Sequence, residues 1–318
     1  LINRLLLASV VVAFVLSVVA GKVWIPLNAW QADDPRWLII AELRLPRSVL
    51  ALLVGGALGL SGAAMQGYLR NPLADPGLFG ISSSAALAAV ISLFFGYSAS
   101  AYLLPLFAMG GALGGMLVLA LIAGRSASLT LFALAGVMLA SVTGALMMLA
   151  ISLAPTPFAA SEIVTWLMGA LTDRSWDDVK VAFPAVVIGA VLIACAARPL
   201  DALTLGEAAA RSMGVDPVRL RWLIVGGVGL CVGATVATAG IIGFVGLMVP
   251  HLVRPLAGAR PSSILMPATL AGALLLLLAD SLIRVLPTAG ELRLGIAMSL
   301  LGGPFFLALL LQMRRSLS

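Results

Sequence analysis

The side chains able to do chemistry are few, and they are scattered. His251, the only histidine, follows Pro250 within an apolar run, and the two cysteines, Cys195 and Cys231, sit in other apolar runs. A lone imidazole cannot build a His-ligated metal centre or a haem relay, and it reads as a satisfied structural histidine at a helix break. The thiols read as small packing residues, not as a disulfide or metal pair. Asp280 and Arg284 are one helical turn apart, which suits an interface-level ion pair, with a proton relay as the sharper alternative. Glu291 follows in a connecting segment. A proton-coupled carrier needs acids near mid-bilayer, whereas the centres of nearly all the apolar runs hold none, so the driving energy must come from elsewhere. No G-x-x-x-x-G-K-[S/T] loop occurs, so the chain does not hold the nucleotide itself. A membrane-embedded enzyme would need His, Asp or Glu clustered at metal or acid/base spacing, and no such cluster occurs. Met138, Met147, Met148 and Met168 read as packing.

The elements that carry these residues must lie in a bilayer. Of 318 residues 62% are apolar and 10% charged, with a mean hydropathy of +1.14. Uncharged stretches from Leu78 to Gly124, Ser126 to Ser161 and Trp222 to Val253 each exceed the roughly 20 residues of one crossing. The sequence predicts an all-α, polytopic membrane protein with about ten transmembrane helices, near residues 4–21, 46–69, 79–96, 102–123, 130–152, 179–197, 219–239, 241–256, 262–284 and 293–313. Its 33 glycines and 17 prolines suit bilayer helices, where small residues permit close approach. The first run, with no small-x-small cleavage site before Lys22, reads as a retained helix. The net charge of +6 lies singly at the ends of apolar runs, which fits positive-inside topology and not nucleic acid. With the N-terminus inside, Arg4, Arg70, Arg125, Arg198, Arg211, Arg219, Arg221, Arg254, Arg260, Arg314 and Arg315 lie inside, and Asp33, Asp34, Glu42, Glu162, Asp173, Asp177 and Asp178 outside. Both termini are then cytoplasmic. Arg44, Arg47 and Arg284 fall outside against the rule and need another role. Val54–Leu60 and Val225–Leu230 are similar glycine-rich stretches on oppositely directed helices, as in an inverted repeat.

Three polar segments interrupt the runs. In the segment from Arg198 to Gly214, Pro199 stops a helix, Thr204 and Glu207 fit a capping box, Glu207 and Arg211 pair at i,i+4, and Gly214 suits a C′ position. This predicts a short cytoplasmic helix over about 203–214, equally fit to dock a partner or to rest on headgroups. Ser161 can cap a second short helix over about 161–169 outside, a lid beside a pathway or an interfacial anchor using Trp166. Gln66–Gly77 contains Asn71-Pro72 and Asp75-Pro76 turns, which leave unexplained the apolar Leu73 between two prolines.

Taken together, Leu43-Arg44-Leu45-Pro46-Arg47, Ser61–Gln66, Asn71–Gly77, Gly243–His251, Leu278–Asp280, Glu291–Ile296 and Gly302–Phe306 resemble the iron-siderophore, haem and vitamin B12 (FecCD-type) ABC import permeases, from about Leu43 to Leu311. The resemblance implies a type II ABC importer permease fold in one transmembrane domain spanning 1–318, in the bacterial inner membrane. It implies a homodimer with two cytoplasmic ATPase subunits and a periplasmic binding protein. The chain itself then carries no cofactor, with ATP and Mg on the ATPase. Arg44, Arg47 and Arg284 match outward arginines that receive acidic residues of the binding protein. Asn71 and Leu73 match the cytoplasmic gate. Leu203, Leu205, Gly206, Glu207, Arg211, Met213 and Gly214 match the coupling helix seated on the ATPase. ATP-driven alternating access would then shift the fifth and tenth crossings. The implied cargo is a bulky iron chelate, haem or ferric siderophore, with cobalamin as the alternative. One departure is Arg293, where the family more often has proline; its charge fits an altered docking surface or an anionic cargo such as haem propionates.

Overall fold

The computed structural model describes residues 1–26, 29–31, 34–77, 79–97, 102–123, 129–287 and 290–317, with the backbone alone at 123, 129–130, 133 and 313–317. Asp33 and Arg125, and the side chains of Arg314 and Arg315, lie outside the described residues. Thirteen α-helices and no strand occur among the described residues: α1 Ile2–Val19, α2 Leu45–Leu69, α3 Ile81–Phe94, α4 Leu103–Ala123, α5 Leu129–Ser152, α6 Pro157–Leu167, α7 Trp176–Cys195, α8 Ala197–Leu203, α9 Glu207–Ser212, α10 Pro217–Ala239, α11 Val245–Ala257, α12 Pro261–Val285 and α13 Leu294–Leu317. A π-helical turn, Ile39–Arg44, leads into α2.

Eight helices are long and apolar enough to cross a membrane, and α3 and α11 are shorter apolar helices. Together they match the ten expected crossings. Local chemistry fixes their starts. Ser175 and Asp178 form a capping box on α7, Asp216 accepts from Val218 N at 2.8 Å to open α10, and Thr156 accepts from Ala159 N at 3.1 Å to open α6. The outer short helix therefore begins before Ser161, which lies inside it. A Thr-Pro pair is a stronger start signal than an isolated serine, because proline at the first helical position gives up no needed N–H.

Helices α2 and α10 form the centre. They carry the two glycine-rich stretches noted in the sequence, and most of their residues are buried. Each is followed by an irregular stretch, a short helix and two long ones: α2 by α3, α4 and α5, and α10 by α11, α12 and α13. Helix α2 packs chiefly on α12, then on α10 and α11, and α10 on α4, α7 and α2. Small residues set the spacing. A Cβ on Gly55 would overlap the Gly272 carbonyl and one on Gly272 the Gly55 carbonyl, so α2 and α12 meet backbone to backbone. Close approach of this kind replaces the hydrophobic drive that a bilayer removes.

The bundle has an acid-rich end, with the α1 C-terminus, the α2 N-terminus, α6 and the α12–α13 connection, and a basic end, with residues 70–77, α8, α9 and the α11–α12 connection. We expect Gly272→Ala to lower the melting temperature in detergent, an overpacking cost of about 1–3 kcal/mol. Gly110→Ala, where a Cβ meets nothing within 4 Å, should leave it unchanged or higher.

Candidate functional site

At the acid-rich end the structure gathers the arginines that stood against the charge rule. Arg44, at the end of the π turn, donates to Val19 O at 2.7 Å and Val23 O at 2.6 Å, tying down the chain that leaves α1; a cation also suits the negative end of that helix. Arg284 donates to Ser17 Oγ and pairs with Asp280 at 2.9 Å. Arg47 bridges two acids, Asp280 at 2.8 Å and Glu291 at 2.9 Å. Asp280 is 1% exposed, Arg284 4% and Arg44 7%. The Asp280–Arg284 pair expected from spacing is present, and Arg47 converts it into a buried triad. None of the three arginines stands free. All three nevertheless line a cavity of about 300 Å³, in which Lys22, Arg44, Arg47, Arg174 and Arg284 face two acids, Asp173 and Glu291. An acidic side chain entering this cavity meets an excess of positive charge.

A second cavity of about 430 Å³ adjoins it, lined by Glu162, Trp166, Asp173, Arg174 and Arg293 among others. Arg293 Nη1 donates to Thr172 Oγ1 at 3.2 Å. Burial holds the Arg174 guanidinium below its ordinary pKa, and Arg293 adds repulsion against the compensating pull of Asp178 and Asp173. The chain just after α6 is stitched to its neighbours, with Ala170 N donating to Ala239 O at 2.8 Å and Gly295 N to Gly169 O at 3.1 Å. The partly buried Trp166 packs against Ala89, Ala108 and Ala237 and lines the cavity from α6.

At the basic end Asn71 Oδ1 accepts from Leu73 N at 2.9 Å, a turn that fixes Pro72 and the half-buried Leu73. The segment then folds inward. Ala74 and Asp75 are buried, Asp75 Oδ1 accepts from Gly77 N at 2.7 Å, and Asp75 Oδ2 lies against Gly246 in the first turn of α11. Gln66 clamps the same helix: its amide donates to Gly246 O and Leu247 O, both at 3.3 Å, and it accepts from Arg254 Nη2 at 2.8 Å. Residues 70–77 and α11 thus form one unit. Gln66, Asp75 and Arg254 gave no joint signal in the sequence, because the contacts join residues some 180 positions apart.

The segment expected to form one coupling helix has a different form. Helix α7 ends at Cys195, one turn before Pro199 as expected, and Pro199 itself sits in the first turn of α8, where proline is tolerated. Thr204 makes no capping box, since its hydroxyl donates back to Asp201 O at 2.7 Å. The single helix over 203–214 is instead the end of α8, a break, and α9. Gly206 (φ +101°) makes the break and Gly214 (φ +85°) follows α9 in the left-handed region, as its C′ assignment required. Glu207 and Arg211 approach only to 4.0 Å, both partly exposed, so their pairing contributes little. The firm anchor is Asp201, which accepts from Ser262 N at 2.8 Å and so caps α12 from outside. Leu203 is buried, whereas Leu205 and Met213 are 67% and 63% exposed.

His251 is not the satisfied histidine expected. Its ring meets Phe305 edge-on at 5.9 Å, and its buried Nδ1 has no hydrogen-bond partner among the described residues. No group of three or more His, Cys, Asp or Glu able to hold a metal occurs among them either.

A bundle of ten apolar helices, with an inward-folded turn at residues 70–77 and exposed apolar residues flanking the short helix α9 at the same end, suits a transport permease. The chain belongs to the FecCD transport family, whose profile matches residues 9–312. It is 38% identical over 308 residues to the vitamin B12 import system permease protein BtuC of Salmonella typhimurium, covering 96% of this chain and 93% of that one. It is 37% identical to the Fe(3+) dicitrate transport system permease protein FecD of Escherichia coli K12, covering 94% of both. A solved structure assigned to the metal-chelate type ABC transporters, in an inward-facing conformation, superposes with a TM-score of 0.86 at 32% identity, covering 97% of this chain and 98% of that one. The protein is therefore a transport subunit and not an enzyme.

Asp280→Ala should cost about 3–5 kcal/mol by leaving Arg284 buried without its acid and Arg47 with Glu291 alone, read as a large fall in melting temperature. Arg36→Ala, which removes an exposed pair with Asp34, should leave it unchanged.

Proposed function

We propose that two copies of this chain form the membrane-spanning part of an ATP-driven importer in the bacterial inner membrane. Two ATPase subunits seat on the basic end and a substrate-binding protein docks at the acid-rich end. The observation that carries this reading is the pair of exposed apolar side chains, Leu205 and Met213, flanking α9 at the basic end, on a segment whose other side is fastened to α12 through Asp201. A segment that is rigid behind and apolar in front suits transmission of force from a partner. The basic end is cytoplasmic because Arg70, Arg198, Arg211, Arg219, Arg221, Arg254 and Arg260 gather there, which puts both termini inside.

Arg44, Arg47 and Arg284 receive acids of the binding protein at the cavity they line, where carboxylates give orientation and association rate more than raw affinity. Asn71 and Leu73 close the cytoplasmic end across the dimer axis. The exposed apolar faces of α5 (Val137, Met138, Val142) and α13 (Leu300, Leu301, Leu307) pair around the pathway and shift when ATP closes the ATPase dimer.

The cargo we assign is a bulky iron chelate, haem or ferric siderophore, with which the relationship to the Fe(3+) dicitrate permease agrees. Cobalamin is the second reading, favoured by the vitamin B12 permeases among the relatives. ATP-dependent uptake of haem, ferric citrate and cobalamin into vesicles holding the assembled transporter separates the two. Uptake without ATPase subunits would refute the importer assignment.

Leu205→Asp combined with Met213→Asp should abolish co-purification of the ATPase, since buried apolar anchors typically contribute about 2 kcal/mol each to an interface. Docking of the binding protein should weaken by about tenfold from low to high salt, as steering by charge requires; salt-independent docking would count against the arginine cavity.

A further inference from the structure

The basic end holds a small polar cavity that neither the gate nor the coupling segment accounts for. It has a volume of about 170 Å³ and lies where the end of α2, the gate segment, the α8–α9 break and the start of α12 meet; Gln66, Arg70, Asn71, Thr204, Arg254 and Pro261 are among its lining residues. Two guanidinium groups line it, and no aspartate or glutamate does.

The partners of these groups leave charge to spare. Arg254 spends Nη2 on Gln66 Oε1, while its Nε is buried without a hydrogen-bond partner among the described residues. Arg70 ends α2 in the left-handed region, φ 49°. It is exposed, and its guanidinium makes no side-chain hydrogen bond or ion pair among the described residues. Asn71 uses Oδ1 to accept from Leu73 N, which leaves its amide N–H groups as donors. Helix α12 opens at the rim, presenting the positive end of its dipole. The nearby acid, Asp201, is already occupied by Ser262. A half-buried cation, Arg254, and an exposed one, Arg70, lining one concave site without an acid call for an anion with several acceptor oxygens.

We propose that this cavity binds a phosphate-type oxyanion, held by the Arg70 and Arg254 guanidiniums and the Asn71 amide. At the headgroup level of the basic end the group is supplied either by an anionic lipid or by free phosphate, and the chemistry is the same. Its occupant touches the gate segment at Asn71, the coupling segment at Thr204 and α11 at Arg254, so it bridges three elements that transport must move relative to one another.

The test uses the full-length permease in phosphatidylcholine nanodiscs, titrated calorimetrically with inorganic phosphate, and in parallel the detergent-extracted protein offered phosphatidylglycerol and weighed by native mass spectrometry. Arg70→Gln, at an exposed side chain, should leave the melting temperature unchanged and weaken binding at least about tenfold, the effect of losing one charge-assisted hydrogen bond. Arg254→Gln should do the same, and if it fails to fold, Arg70→Gln decides alone. Saturable phosphate binding lost in the variant supports the site with a free oxyanion as its source. Retention of phosphatidylglycerol by the wild type alone, without phosphate binding, supports it with a lipid source. Binding of neither probe, or equal binding by wild type and Arg70→Gln, overturns the proposal.

Discussion

The close contact between α2 and α12 governs the rest of the bundle. Lipid chains solvate leucine as well as another helix does, so helices associate here through packing and through polar groups that lipid cannot satisfy. Where Gly55 faces Gly272 there is no side chain to act as a spacer, and the backbones settle at the distance that the remaining atoms allow. Everything attached to these helices inherits that distance. The Arg47–Asp280 pair forms because α2 and α12 are close enough at the acid-rich end for a guanidinium to reach across. Farther along α2, where Gly62 meets Gly246 in the same backbone-to-backbone way, Gln66 reaches the first turn of α11.

Polar groups then divide into two kinds. One kind is consumed by the fold: Asp280 between two arginines, Asp201 on the start of α12, Ser17 against Ser48 at 2.8 Å. Removing a partner from such a set strands a charge or a dipole in a medium that gives nothing back. The other kind is left over at the two ends, as excess cations around the acid-rich cavity and as unpaired donors near Asn71. The functional surface of the protein is what the interior does not use.

Much of this was legible in the sequence, because bilayer solvation writes crossings as long apolar runs and interface charge as their punctuation. The ten crossings, the one-turn Asp280–Arg284 pair and the left-handed Gly214 all follow from local spacing. The errors share a cause. Thr204 and Glu207 satisfy the capping-box spacing, but Gly206 between them permits a backbone turn that no capping geometry survives. Ser161 looked like a cap because the stronger Thr156-Pro157 signal lay a turn earlier. The in-chain partners of Arg44 and Arg47 were not legible, since Val19 and Val23 contribute only carbonyls, which every residue has, and Asp280 lies 233 positions away.

The half-length helices bear on how the chain enters a membrane at all. Helix α11 has 13 residues, which at about 1.5 Å each is about 20 Å, short of the roughly 30 Å hydrocarbon layer. The stretch 241–243 before it carries peptide groups outside any helix, an arrangement that lipid does not tolerate on its own. A translocating machine that tests segments one at a time would reject this one. Insertion of α11 therefore has to wait for α10 and α12 and proceed with them as a group, which makes the order of synthesis part of the folding code for this half of the protein.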